Sequence, residues 1–211
     1  THTVDTPDGR SLTIVATAAR HGPAGGDRGP VIGFLLSVPD PDVPAIYVSG
    51  DTVWYEGVAN VARTSRVGMA LLFMGAAHVA AAGPSHLTFT ATEAAAAAQA
   101  FDEAIVVPLH YEGWEHFAES RGDVDSAFTR LGLMPRLAWL EPGIPRAFEL
   151  GTHAHTAQAR PGARPRVCVF AGGRPNVDLH QRVALVYGRV GQRVARFTAK
   201  ALPRDVGRRN V

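Results

Sequence analysis

Four short segments carry side chains that can bind a metal ion, and each follows a run of residues typical of a buried strand. Loops that follow strands often hold functional side chains on a rigid frame. Neutral imidazoles suit zinc, and a carboxylate can span two cations and offset their charge. Metal ions held in this way activate water for the hydrolysis of esters, lactones, amides or phosphodiesters. The candidate ligands are His21 in 19–23, Asp51 in 48–52, His86 in 85–88 and His110 in 108–114.

The elements that must position these residues are strands and helices in alternation. Short apolar runs predict strands at 11–16, 31–36, 45–48, 69–73 and 104–107. Thr90 and Glu93 form a capping box before an alanine-rich helix over 91–101. Two further helices are predicted at 114–120 and at 123–131, the second with Asp123 as its N-cap. This alternation predicts an α/β layer architecture.

Three of the metal-capable segments also resemble a known family. Segments 19–23, 47–52 and 107–114 are similar to motifs of the metallo-β-lactamase-fold hydrolases, closest to the branch that contains L-ascorbate-6-phosphate lactonase. The resemblance covers about residues 8 to 147. It implies an αββα sandwich with two metals at one edge, zinc first and manganese or iron as alternatives. It also implies a small-molecule substrate of the lactone, ester or phosphodiester type.

The resemblance implies a role for each matching side chain. His21 would be a ligand of the first metal, Asp51 the bridging and catalytic carboxylate, and His110 a ligand of the second metal. His86 and Trp114 would line the substrate pocket, although the residues around His86 fit an ordinary loop histidine equally well. Glu112 and His116 are interpreted as solvated neighbours of Trp114.

The family's upstream motif, His-x-His-x-Asp-His, does not occur before His21. The pair His153 and His155 matches only its first part and lies on the wrong side of the ligand order. The sequence therefore predicts the C-terminal portion of such a domain, incomplete at its N-terminus and impaired as a hydrolase.

Charge divides the chain near Gly151. Residues 1–150 have a net charge of −8, whereas residues 151–211 have a net charge of +10 and only two carboxylates. We therefore predict a folded portion over 1–150 and a basic, poorly ordered tail over 151–211 that does not pack in the core. Two other interpretations of the tail stay open: a nucleic-acid-binding segment that neutralises phosphates, or the product of a shifted reading frame in a GC-rich gene.

Composition restricts the setting in which the protein works. The single cysteine, Cys168, excludes an intramolecular disulfide and fits a reducing compartment, so the cytoplasm is expected. No signal peptide is visible, and the most apolar stretch, 69–82, is shorter than the roughly 20 residues of a spanning helix. A membrane partner is not expected, a nucleic-acid partner is not favoured, and the oligomeric state is left open.

Overall fold

The fold is described from a computed structural model of the 211-residue chain. The described residues are 1–5, 9, 11–25, 28–150 and three strands at 166–172, 182–188 and 195–198. The rest of the predicted tail, including His153 and His155, lies outside the described residues. The nucleic-acid and reading-frame interpretations of that tail therefore stay predictions.

A six-stranded mixed sheet forms the centre of the described portion. Strands β1 to β4 pair antiparallel in chain order, and β4, β5 and β6 are parallel. Strand β2 therefore runs in the same direction as β4, β5 and β6, so the carboxyl ends of these four strands share one edge. The strands are β1 (His2–Asp5), β2 (Ser11–Ala18), β3 (Ile32–Ser37), β4 (Ala45–Val48), β5 (Val67–Phe73) and β6 (Ile105–Leu109).

Three helices pack against one face of this sheet. They are α1 (Glu56–Thr64), α2 (Ala91–Ala100) and α3 (Arg121–Arg130), and all three contribute to one apolar cluster with Tyr47, Leu72 and Val106. The predicted capping box starts α2, because Thr90 accepts from the Glu93 amide and Glu93 accepts from the Thr90 amide. Among the described residues, no helix is long and apolar enough to cross a membrane.

A second sheet contributes to a second apolar cluster, which lies on the face of the mixed sheet opposite to the helices. It is antiparallel, in the order β10-β9-β8-β7, with β7 (Arg146–Glu149), β8 (Arg166–Gly172), β9 (Arg182–Gly188) and β10 (Ala195–Thr198). Phe148, Leu150 and Val169 pack with Ile46 and Leu71 of the first sheet. Successive residues of a strand point to opposite faces of the sheet, so the neighbouring residues Ile46 and Tyr47 belong to different apolar clusters.

Val169 corrects the expectation that residues after Leu150 stay out of the core, since this side chain is fully buried. Pairing of β8 with β7 brings it there. The described layers are thus helices, the mixed sheet and the second sheet. The complete αββα sandwich and the missing N-terminal part stay predictions.

The prediction of a helix over 114–120 was wrong. The amides of Ala118 and Glu119 donate to the Gly75 carbonyl after β5, at 2.9 and 3.2 Å, instead of to carbonyls of their own segment. The segment therefore forms a loop that crosses to the neighbouring strand end.

The start of the next helix also differs from the prediction. Helix α3 begins at Arg121 with Ser120 as its N-cap, and Asp123 occupies the third helical position instead of the cap. Helix α1 was not predicted. Its N-cap, Tyr55, makes no side-chain capping bond, so the sequence carries no start signal there.

Candidate metal centre

Asp51 and His110 meet at the shared edge of the parallel strands. The distance from His110 Nδ1 to Asp51 Oδ1 is 3.7 Å. The Asp51 side chain is 35% exposed and that of His110 is 19% exposed, so the pair is partly accessible to solvent. Each residue follows the end of its strand, Asp51 after β4 and His110 after β6. The topology therefore brings together two residues that are 59 positions apart in the chain.

Ser49 and Gly50 fix the turn that presents Asp51. The buried Ser49 hydroxyl donates to the Gly50 carbonyl at 2.8 Å and accepts from the Phe73 amide at 2.9 Å. Gly50 has a positive φ of 59°, and a Cβ there would lie 2.8 Å from the Ile32 carbonyl oxygen. A larger residue at position 50 would therefore displace either β3 or the Asp51 turn.

His110 adopts a backbone conformation that is uncommon outside glycine. Its φ is 54°, in the left-handed region, where non-glycine residues often mark functional sites. The Leu109 carbonyl just before it accepts from the Met74 amide at 2.8 Å, which ties the ends of β6 and β5 together. The Phe117 ring meets the imidazole edge to face, with ring centroids 4.8 Å apart.

The surroundings favour the neutral form of His110. Burial lowers the pKa of His110, the Asp51 carboxylate opposes this shift, and His116 and His21 add to it. A neutral imidazole is the form that binds metal ions. The effect of His21 and His116 on this pKa also shows that both side chains lie within electrostatic range of His110.

His21 lies in the loop after β2, at the same edge. That loop is joined to the Asp51 loop by two hydrogen bonds, from the Arg20 amide to Thr52 Oγ1 and from the Val53 amide to the Arg20 carbonyl, both 2.9 Å. The half-buried His21 also accepts from the Arg28 amide through its carbonyl at 3.0 Å. The structure thus places His21 in a loop joined to the Asp51 loop, and its role as a ligand stays a prediction.

The separation of Asp51 and His110 fits two neighbouring ligands of one metal ion. Zinc binds nitrogen and oxygen ligands at about 2.0–2.2 Å, so two ligands of one ion lie roughly 3–4 Å apart. The 3.7 Å separation of Asp51 and His110 satisfies this condition. However, no group of three or more His, Cys, Asp or Glu side chains that could hold a metal occurs in the part of the chain that the structure describes. These residues therefore provide part of a ligand set.

His86, a predicted substrate contact, binds a neighbour within the fold. Its Nε2 lies 3.0 Å from Glu93 Oε2, and the same carboxylate oxygen accepts from the Thr90 amide in the α2 capping box. This contact gives His86 a structural role at the start of α2. Its role in the substrate pocket stays a prediction.

Trp114 and His116 occupy the loop after β6. Trp114 is 39% exposed, and its ring centroid lies 5.4 Å from that of His116. His116 is half-buried and lies 4.7 Å from Phe117 and 6.5 Å from His110, ring centroid to ring centroid. The interpretation of His116 as a solvated neighbour of Trp114 therefore holds only in part, because the half-buried ring also packs against Phe117. In the sequence, the two histidines at positions 110 and 116 were the signal that could have indicated that His116 lies near His110.

Comparisons with solved structures relate this fold to hydrolases. An isothiocyanate hydrolase from Delia radicum gut bacteria matches with a TM-score of 0.56 and 17% identity over 67% of this chain and 55% of that chain. A possible metal-dependent hydrolase from Veillonella parvula matches with a TM-score of 0.56 and 20% identity over 66% of this chain and 54% of that chain. The chain thus spans about half the length of these neighbours.

This likeness concerns the fold alone, and it agrees with the metallo-β-lactamase-type fold that the sequence motifs imply. The closer relation to the ascorbate-phosphate lactonase branch stays a prediction. No protein-family model and no curated protein matches the sequence.

Proposed function

We propose that this chain is part of a metal-dependent hydrolase whose reaction centre includes His21, Asp51 and His110. The observation that carries the proposal is the 3.7 Å contact between Asp51 and His110 at the carboxyl edge of the parallel strands. The hydrolase descriptions of the two solved neighbours support it. Zinc is the favoured ion, with manganese or iron as alternatives, and the favoured substrates contain a lactone, ester or phosphodiester.

Each side chain has a role that follows from its surroundings. Burial lowers the pKa of His110 and so favours its neutral, metal-binding form, while Asp51 provides the negative charge that offsets a cation. The metal, when bound, would supply Lewis-acid polarisation of the substrate. The hydrogen bonds of Ser49 and Thr52 hold the Asp51 loop in place. Little conformational entropy is therefore lost when the Asp51 carboxylate binds a metal ion.

We further propose that the chain by itself is impaired. A catalytic zinc normally has about three protein ligands, and the described residues offer two adjacent donors with His21 nearby. The resemblance assigns further histidines and a water-orienting aspartate to an upstream motif that these 211 residues do not contain.

Metal binding tests the assignment of ligands. Zinc content of the 211-residue chain after dialysis should be low, and Asp51→Asn and His110→Gln should each lower zinc affinity at least about tenfold in titration calorimetry. His2→Gln is the matched control, because His2 lies exposed on β1, at the opposite side of the sheet from β6. Unchanged zinc affinity in both site variants would contradict the proposal.

Hydrolysis tests the predicted impairment. The chain should hydrolyse an ester, a lactone, a phosphodiester and an isothiocyanate negligibly, while a version extended upstream through the family's first motif should turn over at least one of them. Asp51→Asn should abolish that turnover in the extended version. Tight, stoichiometric metal binding and normal turnover in the 211-residue chain would contradict the predicted impairment. Inactivity of the extended version would contradict the hydrolase assignment.

A further inference from the structure

The loop after β6 places a row of rings beside the Asp51–His110 pair. Trp114 lies at the outer end, with 39% of its surface exposed, and His116 lies between it and His110. The ring centroids are 5.4 Å apart from Trp114 to His116 and 6.5 Å apart from His116 to His110. Phe117 contacts both imidazoles from behind, at 4.7 and 4.8 Å. We call Trp114, His116 and Phe117 the aromatic wall.

The aromatic wall is held to the loop after β5. The His78 amide donates to the His116 carbonyl at 2.7 Å, and the Ala118 amide donates to the Gly75 carbonyl at 2.9 Å. Gly75 permits the approach, since a Cβ there would lie 2.7 Å from the Phe117 ring. His116 and Phe117 are therefore positioned before any ligand arrives, which reduces the ordering entropy of binding.

We propose that the aromatic wall binds a planar, unsaturated group of the substrate, such as an aryl ring joined to the hydrolysed centre. This inference rests on the proposed function for the position of that centre at Asp51 and His110. Aromatic rings gain attraction from offset or edge-to-face contacts at centroid distances of 4.5–7 Å, beyond the gain from buried area. A saturated ring of equal size would gain only the area term, so the wall discriminates by planarity.

Neutral amides test the aromatic wall without a metal and without turnover. Phenylacetamide and cyclohexylacetamide have similar size and no charge, so the Asp51 carboxylate repels neither. The 211-residue chain should bind phenylacetamide about three- to tenfold more tightly, measured by NMR titration, and the indole N–H signal of Trp114 should shift. Equal affinities for the two amides, or no binding of either, would overturn the proposal.

Variants locate the binding surface. Trp114→Ala should remove the preference for phenylacetamide, whereas Trp114→Phe should retain most of it, because a ring remains at that position. Leu131→Ala is the matched control: Leu131 is 48% exposed at the C-terminal end of α3, and its truncation should change neither affinity. A Trp114→Ala chain that melts as wild type yet keeps the full preference would overturn the proposal.

One further variant separates this proposal from the hydrolase assignment. Asp51→Asn should lower zinc affinity at least about tenfold and leave the preference for phenylacetamide unchanged. If the preference persists while zinc affinity is the same in wild type, Asp51→Asn and His110→Gln, the aromatic wall stands and the metal assignment fails. If zinc binds at Asp51 and no aryl preference is found, the aromatic wall is overturned and the metal assignment stands.

Discussion

At the scale of single residues, Ser49 connects the candidate centre to its supporting strands. Ser49 is fully buried. Its hydroxyl accepts from the Phe73 amide at the end of β5 and donates to the Gly50 carbonyl next to Asp51. Its own amide donates to the Leu71 carbonyl of β5 at 3.0 Å. Ser49 therefore sets the spacing between the Asp51 turn and the neighbouring strand.

Replacement of Ser49 by alanine should destabilise the protein by about 1–3 kcal/mol, because the partly buried Phe73 amide loses its partner. Urea denaturation followed by circular dichroism measures the change. Ser126→Ala is the control, since the exposed Ser126 hydroxyl donates only to the Gly122 carbonyl in α3, and its loss should cost under about 0.5 kcal/mol. Equal stability of the Ser49 variant and wild type would show that the Phe73 amide finds another partner.

Gly75 offers a second test at this scale. Gly75 and Gly83 both have positive φ, 86° and 77°, but only at Gly75 would a Cβ meet neighbours, the Phe117 ring and the His110 carbonyl oxygen. Gly75→Ala should therefore cost about 1–3 kcal/mol more than Gly83→Ala, because overpacking adds to the backbone strain. Thermal unfolding of the two variants gives the comparison. A smaller penalty at Gly75 than at Gly83 would contradict the close packing of the aromatic wall.

At the scale of elements, α3 shows how one carboxylate can secure a helix start. Asp123 Oδ2 accepts from the Ser120 amide and from the Ser120 hydroxyl, both at 2.7 Å. These hydrogen bonds lower the pKa of Asp123 below its ordinary value. The helix in turn supplies Val124, Ala127 and Phe128 to the first apolar cluster. The capping bonds of Ser120 and Asp123 thus support part of the core.

The capping carboxylate should make the stability of α3 depend on pH. A carboxyl group with a lowered pKa in the folded protein stabilises above its unfolded pKa and loses that effect as the pH falls through its folded pKa. Asp123→Asn should therefore be less stable than wild type at pH 7, and the difference should shrink below about pH 4. Unfolding curves at several pH values check this. A difference that is constant from pH 7 to pH 3 would disprove the role of the charged form.

At the scale of the whole molecule, the mixed sheet is unevenly covered. Over β4, β5 and β6, apolar residues on the second-sheet side pack with Phe148, Leu150 and Val169. At the start of β3 the described residues no longer cover the sheet in this way, and Ile32 is 52% exposed and Phe34 is 37% exposed. The strands at this end thus contribute less buried area than the centre of the sheet.

This uneven cover predicts unequal costs for apolar substitutions. Ile32→Thr should change the free energy of unfolding by less than about 0.5 kcal/mol, because the side chain is largely in water and threonine suits a strand. Leu71→Ala, at a fully buried position of β5, should cost about 2–5 kcal/mol. Chemical denaturation of both variants measures the contrast. A comparable loss from Ile32→Thr would show that this face is covered in solution.

The sequence by itself determined the local features. Apolar runs predicted the centres of β2 to β6. The ends moved by a few residues because pairing with neighbours extends a strand past its apolar run, as the pairing of Val67 with Ala45 does at the start of β5. The capping box at Thr90 and Glu93 was confirmed, since it depends on side chains three positions apart. Such features need no knowledge of distant contacts.

Only the tertiary structure decided what depends on contacts between distant segments. The 114–120 loop exchanged helical hydrogen bonds for bonds to Gly75, and α1 forms without a cap because Val58 and Val61 pack in the first cluster. Likewise, Val169 enters the core through strand pairing, although its segment is strongly basic. Asp51 and His110 were chosen from motifs, but their 3.7 Å contact follows from the parallel order of β4, β5 and β6. Local propensity is weak compared with buried area and hydrogen bonding gained across the fold, so these features appear only when the chain is packed.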